Sequence, residues 1–160
     1  MSETIPAGCS GFTAEQAELL QLNQQLLDAI DSGDWDVYAR LCDAGLTAYE
    51  PEAAGHLVPG LGFHRTYFEA ERSGSARSVL SSPHVRLMGD SAVICGIRLI
   101  QRRSASGSQS TSACSETRVW QKSADGSWRH VHFHRSPAGF VELTAAVASS
   151  GGNESPAAGS

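Results

Sequence analysis

Three histidines and an arginine close the patterned part of the chain: His130, His132, His134 and Arg135, within Trp-Arg-His-Val-His-Phe-His-Arg. Residues two apart share a strand face. The spacing therefore predicts the three histidines on one surface and Arg129, Val131, Phe133 and Arg135 on the other. His-x-His side chains are able to share a metal ion, but no acid flanks this row and no further ligand accompanies it. The row reads better as an interface, whose stability would then respond to pH at about 6 to 7. Arg135, which ends a row with Val131 and Phe133, points instead to anion chemistry.

Two more arginines fit that chemistry. Arg98 stands among Ile94, Gly96 and Ile100, and Arg118 is flanked on its own face by Glu116 and Trp120. If consecutive antiparallel strands pair, Arg98, Arg118 and Arg135 converge. Guanidiniums about 7 Å apart repel by roughly 2 kcal/mol per pair at an effective dielectric of about 20. Convergence therefore demands an anion: an internal carboxylate such as Glu50, Glu52 or Glu116, or a bound carboxylate or phosphate. The alternative leaves the arginines snorkelling outward or in ordinary surface pairs. His64 is a candidate further donor, although a lone helix histidine is more often a packed residue.

The elements that must carry these residues follow from periodicity. Thr13-Ala-Glu-Gln16 has the form of a capping box, and Leu19, Leu22, Leu26 and Ile30 follow at helical spacing until Ser32-Gly33. Asp34 caps a second helix with Trp35, Val37, Tyr38 and Leu41, expected to end at Gly45. A short strand is predicted over Leu46 to Glu50, and a third helix from about Leu61 to Arg72 carrying His64. The period then changes to two. Strands are predicted near 77–88, 91–103, 112–122 and 127–136, with turn chemistry at Gly89-Asp90 and Ala124-Asp125-Gly126. Helices followed by hairpin-connected strands argue for an α+β fold with an antiparallel sheet. Residues 1–11 read as a flexible arm, 12–137 as one domain, and 138–160 as a low-complexity, disordered tail.

With 160 residues, 41% hydrophobic and 18% charged, the chain has the composition of an ordinary globular domain. A net charge of -5, with no basic run interleaved with aromatics, argues against nucleic acid or an anionic membrane as a partner. Cys9, Cys42, Cys95 and Cys114 form no C-x-x-C pair, so reduced thiols are expected. No motif points to a cofactor. The first residues lack the basic and apolar regions of a secretory signal, and no apolar run is long enough to span a bilayer. A cytoplasmic location is expected.

The strand from Val93 to Leu99 bears on assembly. Ile94 and Ile100 make one face apolar, while Val93, Cys95, Ile97 and Leu99 make the other apolar too. An antiparallel sheet covered by helices on one side normally has a polar second face. The chain has little left to cover that face unless neighbouring loops close over it, so a second copy is expected there.

Several blocks together resemble one family: Asp43-Ala-Gly-Leu-Thr-Ala-Tyr-Glu-Pro-Glu-Ala, Phe63-His-Arg-Thr-Tyr-Phe-Glu, Pro83-His-Val-Arg-Leu-Met-Gly-Asp, Ser115-Glu-Thr-Arg-Val-Trp and Val131-His-Phe-His-Arg-Ser. They resemble, in order and spacing, the association (hub) domain of calcium/calmodulin-dependent protein kinase II, over about Phe12 to Pro137. The resemblance implies a nuclear transport factor 2-like cone, in which a curved antiparallel sheet cradles a long helix. It also implies two stacked rings of roughly twelve to fourteen subunits, with dimers formed across the sheet. It further implies that Arg98, Arg118, Arg135 and His64 line a pocket open to small carboxylates; with Arg135 on the pocket side, alternation places His130, His132 and His134 on the opposite face, where subunits would meet.

Departures from the family are visible. Glu71-Arg72-Ser73-Gly74 stands where animal members carry a tryptophan, and one glutamate precedes Thr117 where they usually have two. No nucleotide-binding glycine loop, catalytic His-Arg-Asp or Asp-Phe-Gly is present, and the first helix is acidic rather than calmodulin-binding. The expectation is a non-enzymatic hub, either stand-alone or cut from something longer. Its partners would be further copies of itself, a small carboxylate and a kinase acting in trans. The competing reading is a small-molecule isomerase or dehydratase using the same cavity, for which Tyr49, Glu50 and His64 are the candidate acid-base residues.

Overall fold

In the computed structural model, which describes residues 11–139, three helices, the third following the first two strands, accompany a six-stranded sheet. The expectations for the arm, for most of the tail and for Cys9 lie outside the described residues. Helix α1, Ala14–Ser32, starts where the capping box predicts. The Thr13 hydroxyl accepts from the Gln16 N–H at 3.2 Å, and the Gln16 side chain accepts from the Thr13 N–H at 2.9 Å. It stops at Gly33, whose φ of 77° is the left-handed conformation that ends helices. A side chain there would be strained by that φ, and its Cβ, 2.5 Å from Arg72 Nε, would also push the arginine aside. Leu19, Leu26 and Leu27 are fully buried beneath the helix, and each contributes about 1.5–3 kcal/mol by leaving water.

Helix α2 (Trp35–Leu41) is capped by Asp34, whose carboxylate accepts from Val37 N–H at 3.0 Å. It ends four residues before Gly45, because Cys42 is already extended and paired with His130. Strand β1 therefore covers Cys42–Tyr49, and an irregularity between Cys42 and Thr47 accommodates Asp43, Ala44 and Gly45. A single 3-10 turn, Pro51–Ala53, and the two-residue strand β2 (Val58–Pro59) lead to α3, Gly62–Glu69. That helix also ends early. The chain beyond it turns back so that Arg72 donates to the Asp31 carbonyl at 3.0 Å and lies over the Phe68 ring.

Strands β3 (Ser75–Met88), β4 (Ser91–Arg103), β5 (Gln109–Lys122) and β6 (Trp128–Pro137) follow as antiparallel neighbours. The sheet order is β2-β1-β6-β5-β4-β3. One join differs from the all-antiparallel expectation: β1 runs parallel to β6, with α3 and the later hairpins supplying the long crossover that parallel pairing requires. The inner face, carrying Ala92, Ile94, Ile100, Trp120 and Phe133, is buried with α1. Gln16 and Gln24 tie that helix to β3 through the Val85 and Ser78 carbonyls, at 3.0 and 2.9 Å.

Two bulges bend the sheet around α1. One lies in β3 between Ser81 and His84, where Ser82 has a φ of 50°. Here the missing side chain of Gly96 matters, since a Cβ would come within 2.8 Å of Leu80. The second sets Val119 opposite His132 but Trp120 opposite His130, leaving Val131 as an extra residue in β6.

Candidate functional site: an arginine-lined cavity

A cavity of about 240 Å³ opens between α3 and the inner face of β4, β5 and β6. Its polar wall carries Arg98, Arg118, Arg135, Glu50, Glu52 and His64, and its apolar wall includes Ile30, Phe68, Ile100 and Phe133. The three arginines do share one side of the sheet, each from a successive strand, as the sequence spacing predicts. Glu116 lies opposite Gly96 on one neighbouring strand and Arg135 on the other, which brings its carboxylate among the guanidiniums.

The arginines are paired internally. Arg118 Nη2 lies 3.0 Å from Glu116 Oε2, to which its Nε also donates, and Arg98 Nη1 lies 3.5 Å from Glu116 Oε1. Arg98 also reaches Asp31 at 3.4 Å and donates to the Ser78 hydroxyl at 3.0 Å, and that hydroxyl in turn donates to Asp31 at 2.8 Å. Arg135 lies 3.3 Å from Glu50 and 2.6 Å from Glu52. Three guanidiniums thus meet four carboxylates. Burial alone would push the Glu116 carboxyl up, but Arg118 and Arg98 outweigh it and hold it below the usual carboxylate range.

Asp31 was absent from the sequence reading. A signal for it exists: an acid in the last turn of α1, with no basic residue beside it, opposes the helix dipole unless a tertiary partner compensates.

His64 is buried and lines the cavity as expected. Its Nε2 lies 3.1 Å from Glu50 Oε1, but the ring is not aimed along that line, so neither atom completes a hydrogen bond. His64 Nδ1 has no partner either. Buried polar atoms left open on a cavity wall are places where a ligand or water finishes the bonding. Tyr49, one of the three acid-base candidates, lies outside the cavity. It is 41% exposed and packs on the other sheet face against His132 and His134.

The histidine row does not share a face. His132 and His134 lie outward, with His132 Nδ1 2.8 Å from the Thr47 hydroxyl, but His130 is 0% exposed and points into the core. There it stacks on Phe133, lies 3.6 Å from the Cys42 sulfur and 3.4 Å from Arg118 Nη1. The bulge at Val131 is the reason: one extra residue reverses the alternation, so Trp128 and His130 join Phe133 and Arg135 inside. The expected interface role therefore fails for His130. Burial, then the positive charge of Arg118, push its pKa well below the ordinary imidazole value and keep it neutral. Cys42 beside it is no nucleophile, because burial pushes its thiol up to about 12.

Val93, Cys95, Ile97 and Leu99 are half-buried on the outer face, away from α1, as the alternation of β4 predicts. Val79 and Met88 extend that face and are 41% and 50% exposed. Among the described residues no group of three or more His, Cys, Asp or Glu side chains converges on a metal position. Cys42, Cys95 and Cys114 are free thiols.

Comparison with known proteins gives a consistent result. The family model for the "Calcium/calmodulin dependent protein kinase II association domain" matches residues 15–139. The delta subunit of calcium/calmodulin-dependent protein kinase type II from Oryctolagus cuniculus is 47% identical over 127 residues. The match covers 77% of this chain but 24% of that protein, so the chain spans about a quarter of its relative's length. The Chlamydomonas reinhardtii CaMKII hub homology domain is 44% identical, with a TM-score of 0.73, covering 79% of this chain and 100% of that one. A nuclear transport factor 2-like superfamily protein from Salmonella enterica shares the fold at 18% identity and a TM-score of 0.65, covering 79% and 93%.

Proposed function

The chain belongs to the calcium/calmodulin-dependent protein kinase II association domain family, and on that premise we propose that it is a self-assembling hub. Dimers form across the outer sheet face and build a two-tiered ring of about twelve or more subunits. The observation that carries this reading is the second apolar face of β4. Val93, Ile97 and Leu99 are turned away from α1, and no helix among the described residues covers them. A surface of that kind, continuous with Val79 and Met88, marks an association site. Light scattering on a sizing column tests it: a mass of at least ten subunits is expected at micromolar protein, on the order of a closed double ring. A monomer or simple dimer overturns the proposal.

The cavity is a binding site for a small carboxylate in this reading. Arg135, at the open side, is the guanidinium best placed to receive it, with the open His64 atoms beside it. Hexanoate should raise the melting temperature, and Arg135→Gln should remove the effect. No shift in the unaltered protein counts against the site. A kinase acting in trans is a candidate partner, in line with the family's name. Nucleic acid is not, given the net charge of -5, and no helix of the described residues is long and apolar enough to cross a membrane.

An enzyme of the isomerase or dehydratase kind is the competing reading, favoured by the buried His64–Glu50 contact. Proton abstraction needs a base free to face its substrate. Glu50 Oε2 is taken by Arg135 and Tyr49 is outside, which leaves Glu50 Oε1 and His64 as the atoms such a reaction would have to use.

A further inference from the structure

Arg135 sits between two carboxylates that are held very differently. Glu50 is 4% exposed, held by Arg135 on one side and enclosed against the buried His64 ring on the other. Glu52 is 42% exposed, yet it makes the shorter contact of the two with Arg135. It projects from the single turn Pro51–Ala53, which leads into Ala54 and Gly55, both left-handed at φ of 50° and 83°. Arg135 is the partner of its one side-chain hydrogen bond among the described residues. The acid nearest the guanidinium is thus the one most easily returned to water.

We infer that Glu52 is a built-in competitor for the cavity: its carboxylate occupies the seat on Arg135 that an external carboxylate takes. This rests on the carboxylate reading of the cavity. With Glu52 seated, three guanidiniums already face four carboxylates, so an additional anion would enter a site that offers it no unpaired cation. Exchange avoids the problem. A monocarboxylate entering as the Pro51–Ala53 turn lifts Glu52 away leaves the charge count unchanged, and Glu52 is rehydrated at little cost. Glu50 cannot play this part, because it is buried and its departure would strip His64 of its acid neighbour.

The same geometry sets the ligand class. Phe68, Ile100 and Phe133 give the cavity an apolar wall, and about 240 Å³ is room for roughly eight heavy atoms at about 30 Å³ each. The ligand is a short monocarboxylate with an apolar body. A dianion would raise the excess of negative over positive charge from one to two.

Calorimetric titration of the assembled protein with hexanoate, using neutral hexanamide as control, tests the inference. If Glu52 is seated about nine-tenths of the time, its removal tightens binding about tenfold, the apparent affinity being scaled by the competent fraction. Glu52→Gln and Glu52→Ala are both expected to bind hexanoate about tenfold more tightly than the unaltered protein, with hexanamide unchanged. Equal affinities would overturn the competitor role while leaving the carboxylate reading standing. Weaker binding in both variants would make Glu52 a ligand contact and overturn the inference. No binding of hexanoate to any of the three proteins at millimolar concentration would overturn both.

Discussion

Glu116→Gln removes one negative charge from between two guanidiniums and changes the side-chain volume little. The loss falls unevenly. Arg98 keeps Asp31 at 3.4 Å and the Ser78 hydroxyl at 3.0 Å. Arg118 keeps only the neutral His130, 3.4 Å away, and the face of Phe133 at 4.9 Å. Both Glu116 and Arg118 are buried, so water does not replace the missing charge. Opposite charges 3 Å apart attract by about 5 kcal/mol at an effective dielectric of 20. Removing one member of a buried pair typically costs about 3–5 kcal/mol. We take about 4 kcal/mol, equivalent for a chain of this size to a fall in Tm of roughly 8–16 °C. Urea unfolding at neutral pH, at one fixed protomer concentration because assembly couples to stability, measures it. Arg118→Met in the same chain should recover most of the loss, since no buried charge is then left alone. A loss below about 1 kcal/mol, the size of an exposed pair, would refute the reasoning by placing water at Glu116. So would a double variant less stable than Glu116→Gln.

Other expectations are local. Thr13→Ala removes the hydroxyl half of the α1 capping box and should cost about 1 kcal/mol in the same unfolding assay. His130 has a depressed pKa when folded, so its contribution is complete above the unfolded imidazole value of about 6.5 and is lost as pH falls through the folded value. His130→Phe should flatten the loss of stability between about pH 7 and pH 5; an unchanged slope would assign it to other groups. Ile97→Glu puts a charge on the outer sheet face and should reduce the mass seen by light scattering without unfolding the protomer, which circular dichroism checks.

Much of the frame was legible because local rules agree with tertiary ones. The capping box at Thr13 and the stop at Gly33 lie where the sequence predicts, and β4 spans the predicted 91–103. Alternation along β4 correctly separated Arg98 from Val93, Ile97 and Leu99. Where local and tertiary demands diverge, the reading failed. Cys42 leaves the helix because β6 offers it a pairing partner, which no propensity records. Arg72 leaves the predicted third helix to reach the Asp31 carbonyl. The convergence of the arginines was readable from strand order, and Glu50, Glu52 and Glu116 were named as candidate counter-charges. Asp31 was not, since it arrives from a helix more than sixty residues away in sequence from Arg98. The parity of β6 was the largest error. Two-residue periodicity holds only within an unbroken ladder, and nothing in Arg-His-Val-His announces the extra residue at Val131.

That extra residue constrains which changes the chain can accept in descent. Side-chain substitutions along β6 alter one contact each, but a ladder that kept every residue from His130 to Arg135 and lost the bulge would put those two, five apart in sequence, on opposite faces. Whichever end kept its place, either the core would lose His130 or the cavity would lose Arg135. The segment from Trp128 to Pro137 should therefore vary in composition yet keep the bulge and its length together, and a lineage that shortened it by one residue would hold both the packed core and the anion seat only by losing the bulge in the same step.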